Sequence, residues 1–182
     1  MSKLSILVVA ILLLSFSAFA QEAAATSDSL PEKVMTQNIQ SLDRTSFRLA
    51  ESRGKVSIVL LWASWCGPCR FAANALNKVR GDYDNRNVEI IGLTAENPRT
   101  DRKSVRKFVR ANKIGYEIGW IDQQTAVALA ANHAVIPQIL VITNDGRVVK
   151  RFLGYNPMPQ KTLGELNAVV DQFLTEQNRT GR

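Results

Sequence analysis

Two cysteines in a chain of 182 residues stand with only Gly67 and Pro68 between them, in the string Trp65-Cys66-Gly67-Pro68-Cys69. Thiols at that spacing can close on each other, so the pair can accept or give two electrons. The string follows residues 58–64 (IVLLWAS), apolar up to the terminal serine, and precedes a helix-compatible stretch, residues 70–80. The order strand, dithiol, helix suits thiol–disulfide exchange. The partial positive charge at a helix N-terminus stabilises a thiolate and lowers the pKa of the first cysteine. The short spacing lets the second cysteine fold back and attack a mixed disulfide.

Other chemistries compete for the same thiols. Structural zinc takes four ligands, and the chain offers no further cysteine and one histidine, His133. The inventory therefore argues against a complete zinc site within one chain. A purely structural disulfide would close a very small loop and constrain the unfolded chain little. Cu(I) prefers soft thiolates, and His133 lies four residues before Pro137. A copper carrier using Cys66, Cys69 and His133 thus stays open, although a lone histidine after an Ala-rich helix is more often a surface or capping residue. A peroxidase would need a separate peroxide-reducing cysteine. No cofactor is expected, because the dithiol itself carries the electrons.

The elements around the dithiol follow from periodicity and punctuation. Residues 56–63 have the β-branched and aromatic content of a buried central strand, and residues 88–94 that of a second. Residues 66–80 carry Phe71, Ala75, Leu76 and Val79 at helical spacing. Residues 98–112 predict an amphipathic helix, 116–121 a short strand and 123–132 an Ala-rich helix. Residues 138–143 and 147–153 predict a hairpin around Asn144-Asp145-Gly146. Residues 159–177 predict a closing helix. Residues 21–46 read as a flexible lead-in, with a short helix possible over 32–42, and residues 47–50 as a short strand. The order implies an α/β fold, a central mixed β-sheet flanked by helices on both faces, in one domain over residues 47–178.

Residues 1–20 have the form of a secretory signal peptide. Lys3 precedes an apolar core, and Ala18-Phe19-Ala20 is a small-x-small cleavage motif, placing the cut before Gln21. The apolar stretch 6–20 falls short of the roughly 20 residues that span a bilayer. A periplasmic location is expected, with membrane contact only through that segment if it is not cleaved. The net charge is +7. The cations concentrate in residues 99–113 (RTDRKSVRKFVRANK), which reads as a solvated helix face or an attractor for an anionic partner or membrane surface. The stretch lacks interleaved aromatics, and with an export signal this argues against nucleic acid.

The chain resembles the thioredoxin superfamily, and more closely its exported TlpA/ResA-like thiol–disulfide oxidoreductases. The resemblance rests on residues 54–56 (GKV), 59–70 (VLLWASWCGPCR), 90–93 (IIGL), 105–109 (VRKFV), 136–142 (IPQILVI), Asp145-Gly146 and Gly154. It implies a thioredoxin-like fold and a disulfide reductase acting on exported client proteins, recharged by a membrane electron donor. It also implies roles: Cys66 as the partly exposed nucleophile, Cys69 as the buried resolving cysteine, and Trp65, Gly67 and Pro68 as docking surface. Pro137 would be a cis-proline opposite the dithiol, with the backbone of Ile136 pairing with an extended substrate segment. Thioredoxin-fold docking without turnover is the remaining alternative.

Several positions depart from the family pattern. Leu60 and Ala72 stand where relatives carry acids that move the proton of the resolving thiol, leaving Glu89 or Glu51 as candidates. The segment from His133 to Pro137 is about two residues short of the usual length, and Gln138 replaces a common threonine.

Overall fold

Residues 28–84, 86–143, 145–154 and 159–180 are described by a computed structural model. The signal-like segment, residues 1–20, lies outside the described residues. The elements are β1 (Asp28–Ser29), α1 (Glu32–Thr36), β2 (Ile39–Ser41), β3 (Ser46–Phe47), a 3-10 turn (Leu49–Ser52), β4 (Val56–Leu61) and α2 (Cys69–Asp82). They continue with β5 (Val88–Thr94), α3 (Arg102–Ala111), β6 (Glu117–Trp120), α4 (Gln123–Ala130), β7 (Gln138–Ile142), β8 (Arg147–Leu153) and α5 (Pro159–Thr180).

One mixed sheet of eight strands runs in the order β1-β8-β7-β4-β5-β6-β2-β3. β4 is central, and all six of its residues are buried. A strand covered on both faces must be apolar on both, which is why its sequence does not alternate. It pairs in parallel with β5, from Val56↔Val88 to Leu61↔Leu93, and antiparallel with β7. β6 extends the parallel set beyond β5.

Two apolar layers cover the sheet. Ile58, Leu60 and Trp62 pack with Ala72, Leu76 and Val79 of α2, Val105 of α3, and Leu166 and Val170 of α5. Val59, Leu61, Ile91 and Leu93 pack on the opposite face with Leu129 of α4 and Val34 and Met35 of α1. The thioredoxin-like architecture with helices on both faces is therefore the observed one. Among the described residues no helix is long and apolar enough to cross a membrane.

The lead-in expected over residues 21–46 belongs to the sheet from Asp28 onward, and residues 21–27 lie outside the described residues. β1 pairs with β8, while β2 pairs with β6 and β3. The helix suggested for 32–42 ends at Thr36, and the chain turns into β2 instead. Three apolar residues account for this. Val34 and Met35 enter one core layer and Ile39 is fully buried. Ile39 fits because Gly119 faces it. A Cβ at Gly119 would collide with Ile39 and come within 2.9 Å of Phe47 Cζ. The strand expected over residues 47–50 is likewise split into β3 and the 3-10 turn.

Candidate active site

The dithiol string begins where β4 ends. Trp62 and Ala63 remain buried, and the Trp62 ring stacks on Phe108 of α3 with centroids 4.6 Å apart. Gly92 on the neighbouring strand leaves room for that indole. A Cβ there would lie 2.6 Å from Ile118 Cδ1 and 3.1 Å from Trp62 Nε1. The chain then turns outward, and Trp65 is 75% exposed. Gly67 and Pro68 are also exposed.

Cys66 and Cys69 are joined as a disulfide, with Cα atoms 5.3 Å apart. Cys66 is 6% exposed and Cys69 fully buried. The two sulfurs thus differ in access in the order expected, although Cys66 is more enclosed than a partly exposed nucleophile. α2 starts at Cys69, three residues later than the earliest start in the sequence reading. That places Cys66 just ahead of the helix, where the Cys69 N–H points at Cys66 Sγ at 3.3 Å. Helix-end N–H groups have no partner within the helix, and this one is shared between the Cys66 carbonyl, at 3.2 Å, and the sulfur that becomes negative on reduction.

A second loop faces the cysteines. The Ile136–Pro137 peptide bond is cis, and the Ile136 carbonyl oxygen lies 3.9 Å from Cys66 Sγ. This loop follows α4, whose end turns through Ala131 and Asn132 at φ 48° and 64°. Gln138 holds it in place. Its buried side chain donates from Nε2 to the carbonyls of His133 (2.8 Å) and Val135 (2.9 Å). Its Oε1 accepts from Arg151 Nη1 at 3.1 Å, and the same nitrogen donates to the Leu129 carbonyl at 2.6 Å. The glutamine noted only as a departure from the family pattern is therefore the hub joining β7, β8 and the proline loop. Buried amides at such a hub are costly to leave unpaired.

A carboxylate that the sequence does not single out bonds the residue just before the dithiol string. Glu96 accepts the Ser64 N–H at 2.7 Å and the Ser64 hydroxyl at 2.6 Å, and Thr94 Oγ1 donates to it at 3.0 Å. Ser64 sits two residues before Cys66, so Glu96 anchors the base of the exposed loop. Its only sequence signal is position, just past the C-terminal end of a buried parallel strand, where sites in α/β sheets collect. The two candidates named from the sequence lie elsewhere. Glu89 pairs with Lys55 at 3.8 Å beside the start of β4, the far end from the dithiol. Glu51 pairs with Arg48 on the surface. Leu60 and Ala72 are buried in the apolar layer that encloses Cys69.

Beside the cysteines runs a groove of about 730 Å³, lined by Trp65, Glu96, Asn97, Val127, His133 and Val135 among others. Three of these, Trp65, Val127 and Val135, are exposed large apolar residues. One wall is α4, capped by Asp122, whose carboxylate accepts the Thr125 N–H at 2.7 Å. That bond holds the Asp122 pKa below its usual value. His133 is exposed at the rim. No cluster of three or more His, Cys, Asp or Glu side chains suited to a metal exists among the described residues. Cys66, Cys69 and His133 are therefore not gathered into the copper site considered from the sequence.

Comparisons with known proteins agree with this geometry. The chain is 28% identical over 173 residues to the thiol-disulfide oxidoreductase ResA of Halalkalibacterium halodurans, covering 94% of this chain and 91% of that one. It is 26% identical over 116 residues to ResA of Bacillus cereus, covering 64% of this chain and 65% of that one. That second match spans just under two thirds of the relative's length. The fold is shared with a thiol:disulfide interchange protein of the thioredoxin family from Chlorobium tepidum, at TM-score 0.66 and 20% identity, covering 84% of this chain and 99% of that one. The family model named Redoxin matches residues 25–170, most of the length, and with the disulfide-bearing strand–helix junction it shows that this chain belongs to the redoxin family.

Proposed function

We propose that this redoxin is an exported thiol–disulfide oxidoreductase that reduces disulfides in other exported proteins. The observation that carries the reading is the Cys66–Cys69 couple at the start of α2, facing the Ile136 carbonyl across 3.9 Å. In the reduced protein the Cys66 thiolate attacks one sulfur of a client disulfide and expels the other as a thiolate. This leaves Cys66 bonded to the client. The Cys69 thiolate then attacks Cys66 Sγ, expels the second client thiolate and closes the Cys66–Cys69 disulfide. Two electrons pass to the client, and the protein ends in the oxidised form described above.

The helix-end N–H at Cys66 favours its thiolate and so its role as the attacking group. The greater burial of Cys69 suits the resolving role. Trp65, Gly67, Pro68, Ile136 and Pro137 form the surface a client would meet. An extended client segment can pair with the Ile136 backbone as an added strand, with apolar side chains in the groove. The signal-like residues 1–20 support export. A dithiol reductant in an oxidising compartment must be recharged, so a membrane electron donor completes the cycle.

The test uses two variants and a model disulfide protein. Cys69→Ser should accumulate a mixed disulfide through Cys66, visible as a band that reductant removes. Cys66→Ser should form none and turn nothing over. A mixed disulfide forming equally through Cys69 in Cys66→Ser would contradict the assignment.

A further inference from the structure

Residues 99–113 hold seven lysines and arginines against one acid, Asp101. Most of the stretch folds as α3, with Val105 buried and Phe108 and Val109 half-buried against the core. At 100° per residue the five cations inside the helix fall within roughly 140° of its circumference, away from that apolar stripe. Arg102 and Arg106 are engaged with the Leu42 carbonyl. Arg99, Lys103, Lys107, Arg110 and Lys113 are exposed. None of the seven joins an ion pair with an acid among the described residues. Asp101 instead accepts the Asn97 N–H at 2.9 Å and the Thr100 hydroxyl at 3.0 Å.

The stripe is joined to the dithiol. Asn97 and Asp101, at its start, line the groove beside Trp65. Phe108, in its middle, stacks on the Trp62 that precedes the active loop. We infer that the exposed face of α3 is a docking rail for an acidic polypeptide segment of a redox partner, which it leads to the groove and Cys66. The inference rests on the exchange activity proposed above. A polypeptide fits better than a bilayer, because membrane-surface helices offer an apolar face for insertion beside their cations. The apolar face of α3 is turned into the core, and the exposed large apolar residues lie elsewhere.

The experiment compares rates of reduction of disulfide peptides flanked by glutamates, by serines or by lysines. At low salt the wild type should reduce the glutamate-flanked peptide roughly tenfold faster than the lysine-flanked one. The preference should shrink to within about twofold at high salt. It should shrink as far in the triple variant Lys103→Glu, Lys107→Glu, Arg110→Glu, and in part in the corresponding glutamine triple, which also guards against misfolding. A control with the same change in net charge, Lys33→Glu, Lys150→Glu, Lys161→Glu, should keep most of it.

A preference that survives the α3 reversal, or that the control removes equally, would overturn the proposal. So would binding of the wild type to phosphatidylglycerol vesicles through α3 with no peptide preference, which would assign the stripe to a membrane. Failure to reduce even the serine-flanked peptide would remove the exchange activity itself, and the rail with it.

Discussion

The two sides of the Cys66–Cys69 pair are built by different physics. On one side β4 and α2 present the cysteines from a wholly apolar layer, where Leu60, Ala72 and Leu76 enclose Cys69. On the other, the loops around the pair are held by polar side chains. Gln138 and Arg151 fix the proline loop, and Glu96 fixes Ser64. Apolar packing sets where the sulfurs are. Hydrogen bonds set what they face. The first layer tolerates little loss of volume but depends weakly on any one atom. The second depends on a few donors and acceptors with good geometry.

Substitutions can separate the two sides. The largest effect is expected from Cys66→Ser, which should reduce client-disulfide turnover to background while leaving the fold intact, as read by circular dichroism. On the apolar side, Leu76→Ala should cost about 3 kcal/mol in denaturant unfolding, because Leu76 is fully buried and leaves a cavity. The variant should retain exchange activity below its midpoint.

On the polar side, Gln138→Ala should cost about 2 kcal/mol by removing the amide's bonds to the His133 and Val135 carbonyls and from Arg151. Unlike Leu76→Ala, it should raise KM for a client disulfide, because the Ile136 backbone loses its position. Equal effects of the two variants on KM would erase the distinction drawn between the sides. Glu96→Gln should cost about 1.5 kcal/mol, since charge-assisted bonds to Ser64 become neutral ones.

The smallest effect concerns the groove wall. Asp122→Ala should cost about 1 kcal/mol by uncapping α4. Because the folded pKa of Asp122 is depressed below 3.8, its contribution is complete above that value and lost as pH falls through the folded pKa. The gap between wild type and variant should therefore close in acid.

The same division explains what could be read from the sequence. The bounds of β5 and β8, the burial of β4 and the strand–dithiol–helix junction follow from apolar periodicity and from the spacing of Cys66 and Cys69. The cis bond at Pro137 was expected from family resemblance and not from spacing. The polar hub was not legible, because a lone Gln138 or Glu96 carries no periodic signal and its partners lie far off in the chain. β2 was missed for a related reason. Its burial depends on a vacant Cβ at Gly119, a match between distant positions that local pattern does not contain. The groove joins residues from three separate stretches, 61–65, 93–101 and 121–138, and only the fold brings them together.

On the function proposed above, the Cys66–Cys69 pair works as a reductant of client disulfides. Its most direct test is the equilibrium reduction potential, set against glutathione or dithiothreitol buffers and read by the mass of alkylated thiols. A reductant should show a value of about −270 mV, that of thioredoxin. A value near about −120 mV would contradict it and make the protein an oxidant.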